Sequence, residues 1–152
     1  EDTPEEDYKW ILDDERDVIA KMLANLCANL TSANSIFPEN REELNLRRMY
    51  QDKAIGNCFQ IKSELQYIIT IFNVNVDKYI PYSDDLDYQV YLIKQWRKSN
   101  RKFMPTILKN EENLKRKELE LDQKLRQELE QKIREEIQLG KTNNNVENIG
   151  KE

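Results

Sequence analysis

The sequence predicts an all-α protein: an antiparallel helical bundle of three to four helices with a long charged C-terminal helix. Three observations lead to this prediction. Only 3 glycines and 4 prolines occur among 152 residues, whereas a sheet protein needs frequent turn residues. Charged residues make up 35% and apolar residues 38%, a balance that suits exposed helices. The apolar residues also recur every three or four positions, which is the spacing of one helix face.

The N-terminal segment is strongly acidic. Its first 17 residues hold nine acidic and two basic side chains, or −7, so the rest of the chain carries +2 of the total −5. We expect residues 1–13 to form a flexible acidic arm. This is not the pattern of a secretory signal, and no run of 18 apolar residues occurs, so we expect a cytoplasmic protein with no membrane contact. The positive remainder is compatible with an anionic partner.

The bundle itself is predicted over residues 14–104. Its first helix spans about 14–33, and its second spans about 39–72 after Pro38, a residue that can open a helix. The second helix carries apolar residues in steps of three and four: Tyr50, Ala54, Cys58, Ile61, Leu65, Ile68 and Phe72. Three residues before this stripe, Arg47 lies on the same packing seam.

Two cysteines, Cys27 and Cys58, fall on the apolar faces of the first two helices. We expect both to be buried thiols in a reducing compartment. A disulfide between the two helices is the alternative.

A third helix is predicted over about 76–99, kinked at Pro81 or restarting at Ser83. Residues 105–139 then form a charged amphipathic helix, either a fourth bundle helix or a coiled coil. Its narrow apolar stripe consists of Leu114, Leu121, Leu125, Leu129, Ile133 and Ile137. We expect Gly140 to end this helix and residues 140–152 to be a disordered tail.

The residue types needed for common catalytic and metal sites are scarce. Histidine is absent, which removes the commonest general base and metal ligand. Two distant cysteines do not supply a four-cysteine zinc site, and the three glycines are too far apart for a phosphate-binding loop. We therefore predict no enzyme, no catalytic residues, no cofactor and no metal. A site built only from carboxylates is the alternative.

Two basic stretches are candidates for contact with nucleic acid or a protein partner. The first lies in the second helix and the second closes the third helix. The candidate residues are Arg47, Arg48, Lys53, Lys94, Trp96, Arg97, Lys98, Arg101 and Lys102. The competing interpretation is a solvated helix end, where the helix dipole favours Lys and Arg. Trp96, three residues after Ile93, is also suited to packing in the core or against a partner.

Four segments carry a resemblance to a known family: 47–58 (RRMYQDKAIGNC), 64–67 (ELQY), 78–82 (KYIPY) and 96–99 (WRKS). Over about residues 14–103 the chain resembles the Avd-like four-helix-bundle accessory proteins of diversity-generating retroelements, which are similar to bundle proteins encoded in rRNA intervening sequences. The resemblance implies a non-catalytic homo-oligomer that binds a reverse transcriptase protein and its template RNA. The eight basic candidates above would make these contacts. The alternative function is a protein-only scaffold that pairs through its C-terminal coiled-coil-like helix.

Overall fold

The computed structural model describes residues 4–149, with side chains described from residue 9 to residue 140. Every element of regular structure in that part of the chain is helical, which confirms the predicted all-α class. Four α-helices follow one another: α1 (Pro4–Ser35), α2 (Arg41–Phe72), α3 (Ile80–Ser99) and α4 (Met104–Ile149). Short 3-10 helices, Val76–Lys78 and Asn100–Phe103, precede α3 and α4. Within the described residues, no helix has the length and apolar character needed to cross a membrane.

Helix α1 begins at Pro4, earlier than the predicted start near residue 14. Residues 4–13 are therefore helical, which corrects the prediction of a flexible arm there; residues 1–3 lie outside the described residues. Proline suits the first position of a helix because that position needs no N–H donor.

Local caps fix both ends of α2 close to the predicted bounds. Asn40 accepts a hydrogen bond from the Glu43 N–H at 2.9 Å, and the Glu43 carboxylate accepts one from the Glu39 N–H at 2.8 Å. At the other end, Asn73 adopts a left-handed backbone conformation with φ of 44°. Asparagine tolerates that conformation better than most residues, so it ends the helix.

Helix α3 begins at Ile80, so Pro81 lies in its first turn. The predicted kink at Pro81 and the predicted restart at Ser83 are both wrong. The N–H groups of the first turn have no partner within the helix, so a proline there removes no hydrogen bond. Asn75 caps the preceding 3-10 helix by accepting from the Asp77 N–H at 2.9 Å.

Contacts between backbone positions divide the chain into two compact units, residues 1–107 and residues 108–152. In the first unit, α1 and α3 both pack on α2. Asp52 of α2 pairs with Arg97 of α3, whereas Lys62 pairs with Asp87. As the residue number increases along α2, the number of the paired residue in α3 decreases, so these two helices are antiparallel. The core cluster that joins α1, α2 and α3 consists of Leu26, Ala54, Cys58, Ile61, Leu86, Val90 and Ile93.

The two cysteines are both free thiols, but they differ in burial. Cys58 is buried in the core, as predicted, and burial raises the pKa of its thiol. Cys27 is exposed, so the prediction that it is buried is wrong. The buried face of α1 passes through Leu26, and the next residue along the helix is rotated by about 100° away from it.

In the second unit, the predicted apolar stripe of α4 is exposed: Leu114, Leu121, Leu125, Leu129, Ile133 and Ile137 all face solvent. Ion pairs four residues apart support the helix, with Asp122 to Arg126 at 3.0 Å and Glu130 to Arg134 at 3.9 Å. Each pair of this kind stabilises a helix by about 0.3–0.5 kcal/mol.

Helix α4 continues through Gly140 to Ile149, which corrects both the predicted end at Gly140 and the predicted tail over residues 140–149. Residues 150–152 lie outside the described residues. Gly140 does not have the positive φ of a helix-ending glycine. A glycine inside a helix costs about 1 kcal/mol relative to alanine, which by itself does not end a long helix.

Candidate nucleic-acid interface

Arg47 lies inside the first unit, with a relative exposure of 3%. Its Nη1 donates to the carbonyl oxygens of Ala33 and Ile36, each at 2.7 Å, and its Nε donates to Asn100 Oδ1 at 3.0 Å. The guanidinium carbon also lies 4.9 Å from the centre of the Trp96 ring. The prediction that Arg47 contacts phosphate or a partner is therefore wrong, whereas its predicted place on the packing seam is confirmed.

The position of Arg47 at the end of α1 explains why a charged group is buried there. Helix α1 has no basic residue in its last turn, and Arg47 reaches from α2 to the Ala33 carbonyl in that turn. The C-terminal end of a helix carries partial negative charge, so a cation there is stabilised. Burial lowers the pKa of Arg47 by desolvation, but the guanidinium stays protonated at any physiological pH.

Between α2 and α3, a groove of about 960 Å³ opens to solvent. We call it the α2–α3 groove. Its lining from α2 and α3 consists of Arg48, Asp52, Ile55, Gly56, Phe59, Tyr91, Lys94, Gln95, Arg97 and Lys98, and Arg101 lines it from the following 3-10 helix. Five of these residues are cationic and one is acidic. The groove therefore presents a positive surface on a protein whose net charge is negative.

The single acidic residue in the groove is paired. The Asp52 carboxylate binds the Arg97 guanidinium through two contacts, 2.8 Å from Nε to Oδ1 and 3.0 Å from Nη2 to Oδ2. This two-point geometry holds α3 against α2 and occupies much of the Arg97 fork. The other four cations, Arg48, Lys94, Lys98 and Arg101, form no ion pair with any residue that the structure describes. These four are available to an anionic ligand.

Four predicted candidates lie outside the groove lining. Besides buried Arg47, the half-buried Trp96 packs against the core cluster, which agrees with the core-packing alternative. The Lys53 ammonium lies 5.5 Å from the centre of the Tyr50 ring, and Lys102 lies 5.1 Å from that of Phe103. Lys53 lines a different surface depression, between α1 and α2.

Sequence reasoning missed two aromatic residues of the groove. Phe59 is 49% exposed and Tyr91 is 55% exposed, and both line the α2–α3 groove. Tyr91 also stacks on Tyr88, with ring centres 6.3 Å apart and planes 19° from parallel. The available signal was helical spacing: Phe59 lies eleven residues, about three turns, after Arg48 and so falls on the same face of α2.

Comparison with protein-family models, with curated proteins and with solved structures gave no match in any of the three. The function therefore has to be argued from the residues and the geometry of the groove.

The acidic side chains do not form a carboxylate metal site in the described part of the chain. Among the described residues, no group of three or more Asp, Glu or Cys side chains is placed to hold a metal ion. One close pair of carboxyls, Glu15 of α1 and Glu64 of α2, occurs outside the groove. The pKa of Glu15 is raised, first by its side-chain hydrogen bond with Glu64, then by desolvation and by repulsion from Glu64 and Asp14.

We expect Glu15→Gln to stabilise the protein at pH 7. Because the folded-state pKa is raised above the ordinary 4.5, stability is full below that value and falls as the pH rises through the raised pKa. A neutral amide at position 15 removes the charge that Glu64 and Asp14 repel and that burial disfavours. The melting temperature should therefore be higher in the variant at pH 7 and equal to that of the wild type below about pH 4.5. Exposed Asp17→Asn is the control; an equal pH profile for both variants would contradict the pairing.

Proposed function

We propose that this chain is a non-catalytic accessory protein that binds RNA through the α2–α3 groove and thereby serves a reverse transcriptase in the cytoplasm. One observation carries the proposal: Arg48, Lys94, Lys98 and Arg101 meet in one groove with no acidic partner among the described residues. Four uncompensated cations repel one another, and a polyanion relieves that repulsion. RNA phosphates are the polyanion that a basic, partly aromatic helical surface fits best.

RNA affinity is the decisive measurement. Four phosphate contacts with a single strand predict a slope near −2.8 in a plot of log affinity against log salt. That slope corresponds to a roughly fiftyfold fall in affinity between about 50 mM and about 200 mM salt. Changing Arg48, Lys94, Lys98 and Arg101 together to Gln should bring the slope close to zero and remove most binding, as measured by fluorescence anisotropy.

A matched control separates local contact from total charge. Lys21, Lys53, Lys78 and Lys102 are exposed cations outside the α2–α3 groove, and changing all four to Gln removes the same charge. The control variant should retain most of the affinity and most of the salt slope. Equal losses of RNA affinity in the two variants would show that binding depends only on the net charge of the protein. The groove would then not be the binding site.

The reverse transcriptase enters the proposal through the resemblance of segments 47–58, 64–67, 78–82 and 96–99 to Avd-like proteins. Within the proposal, α1, α2 and α3 form an antiparallel bundle of an Avd-like type, and the protein works as a homo-oligomer. A reverse-transcriptase gene beside the gene for this chain is expected on this proposal.

A protein-only scaffold is the second candidate function, and the exposed apolar stripe of α4 favours it. The stripe runs from Leu114 to Ile137, and its leucine and isoleucine side chains are exposed. Exposed leucines at helical spacing are typical of helices that pair with another helix. The salt titration separates the candidates: a complete lack of RNA binding at low salt would favour the scaffold.

A further inference from the structure

The register of α2 against α3 places the residues of the α2–α3 groove at two chemically different ends. The ion pairs Asp52–Arg97 and Lys62–Asp87 align the antiparallel helices. In that register Arg48 lies level with Arg101, and Phe59 lies level with residue 90, next to Tyr91. One end of the groove is therefore cationic and the other is aromatic. From Arg48 to Phe59 the distance along α2 is about 16 Å at 1.5 Å per residue.

The aromatic end is prepared to accept a flat ring. Phe59 and Tyr91 keep about half of their surface in solvent, although each has enough apolar area to favour burial. Tyr91 also stacks on Tyr88, which restricts the orientations open to its ring. A ligand ring placed against Phe59 and Tyr91 covers apolar area that is otherwise in water.

At the middle of the groove, α2 carries no side chain at Gly56. Gly56 lines it, and a Cβ built on Gly56 would meet no atom within 4 Å. Lys94 lies at the same level of the groove on α3. A chain of sugars and phosphates can therefore approach α2 closely between the cationic end and the aromatic end.

We infer that the α2–α3 groove binds single-stranded RNA, with a base stacked on Phe59 and Tyr91 and the neighbouring phosphates on Arg48, Lys98 and Arg101. This inference rests on the proposed RNA-binding function and adds the form of the RNA. A duplex keeps its base faces stacked on one another and offers a protein mainly phosphates and sugars. Only an unpaired strand presents base faces to the aromatic end, and such stacking tolerates any base.

The test compares a 12-nucleotide unpaired RNA with a duplex of the same sequence, using the full chain and fluorescence anisotropy from low to physiological salt. Phe59→Leu with Tyr91→Leu should weaken binding of the single strand about tenfold or more and leave its salt slope unchanged. The same variant should bind the duplex as the wild type does. The control is Phe37→Leu with Tyr67→Leu, which makes the same chemical changes at exposed sites outside the groove and should change neither affinity.

A second variant keeps the test independent of aromatic packing. Gly56→Leu adds a side chain where open space exists and improves helix propensity, so the fold should be at least as stable as the wild type. The new side chain should still weaken binding of single-stranded RNA, because it adds bulk at the edge of the path between the two ends.

The outcomes distinguish this inference from the proposed function. Equal binding of duplex and single strand, with no effect of the aromatic double variant, would overturn the inference and leave RNA binding by the groove intact. Tighter binding of the duplex would do the same. Absence of binding to either RNA at low salt would overturn both.

Discussion

Replacing Arg47 with Ala is expected to lower the free energy of unfolding by about 3–5 kcal/mol. The variant removes hydrogen bonds to Ala33 O, Ile36 O and Asn100 Oδ1, and it leaves these acceptors without the donor. Each hydrogen bond from a charged group contributes about 1.5–3 kcal/mol, and buried acceptors without donors add a desolvation cost. A loss of this size is a large part of the stability of a small domain.

Urea unfolding followed by circular dichroism at 222 nm measures this loss directly. Arg47→Lys should fall between the wild type and Arg47→Ala, because an ammonium keeps the positive charge but lacks the planar fork. The fluorescence of Trp96, measured in a Trp10→Phe background, provides a second readout, since the guanidinium of Arg47 lies against the Trp96 ring.

The neighbouring arginine is a matched control for the Arg47 variants. Arg48 lines the α2–α3 groove and should be replaceable by Ala with a change in stability of less than about 0.5 kcal/mol. The same change should weaken RNA binding, whereas Arg47→Lys should leave RNA binding nearly unchanged while it remains folded. If Arg47→Ala unfolds at the wild-type urea concentration, its hydrogen bonds do not hold the end of α1.

The two arginines also show what could be predicted from the sequence. The apolar stripe of α2 gave the buried face correctly, and Arg47 falls on it at helical spacing. Helical spacing alone predicted that Arg47 lies on the packing face of α2. Its positive charge led to the further prediction that it contacts a partner at the surface. Its acceptors come from the end of α1 and from Asn100, and their positions depend on how the chain turns between α1 and α2. The course of the chain between these helices cannot be read from the spacing of residues within one helix.

The basic stretch that begins at residue 94 could be identified from the sequence, but the α2–α3 groove could not. Phe59 and Tyr91 lie on different helices, and they share a surface only because of the rotation and register of α2 against α3. Those quantities are set by packing of the whole core. The helical start at Pro4 has a different cause: Pro followed by acidic residues is a helix-start signal that the prediction of an arm overlooked.

Replacing Asn100 with Leu should also be strongly destabilising, by about 2–4 kcal/mol. Asn100 is fully buried and joins two polar side chains of α2. Its Oδ1 accepts from Arg47 Nε at 3.0 Å, and its Nδ2 donates to Gln51 Oε1 at 2.6 Å. Leucine has a similar volume but breaks both contacts. Gln51 would then be buried with neither end of its amide paired.

Asn100→Asp is the informative comparison, because it preserves shape and changes hydrogen bonding. One oxygen still accepts from Arg47 and now carries a charge that the guanidinium neutralises. The other faces Gln51 Oε1, which would repel it. No described residue accepts a hydrogen bond from Gln51 Nε2, so the Gln51 amide can rotate by half a turn and donate from Nε2 instead.

We therefore expect Asn100→Asp to unfold within about 1 kcal/mol of the wild type at pH 7, whereas Asn100→Leu loses most of the network. Urea unfolding of the two variants under one condition measures the difference. Equally small losses in both would mean that volume at position 100, and not the polar chain from Gln51 through Asn100 to Arg47, holds this end of the first unit together. A large decrease in the free energy of unfolding for Asn100→Leu, with a small decrease for Asn100→Asp, would show that this chain of hydrogen bonds provides the stability.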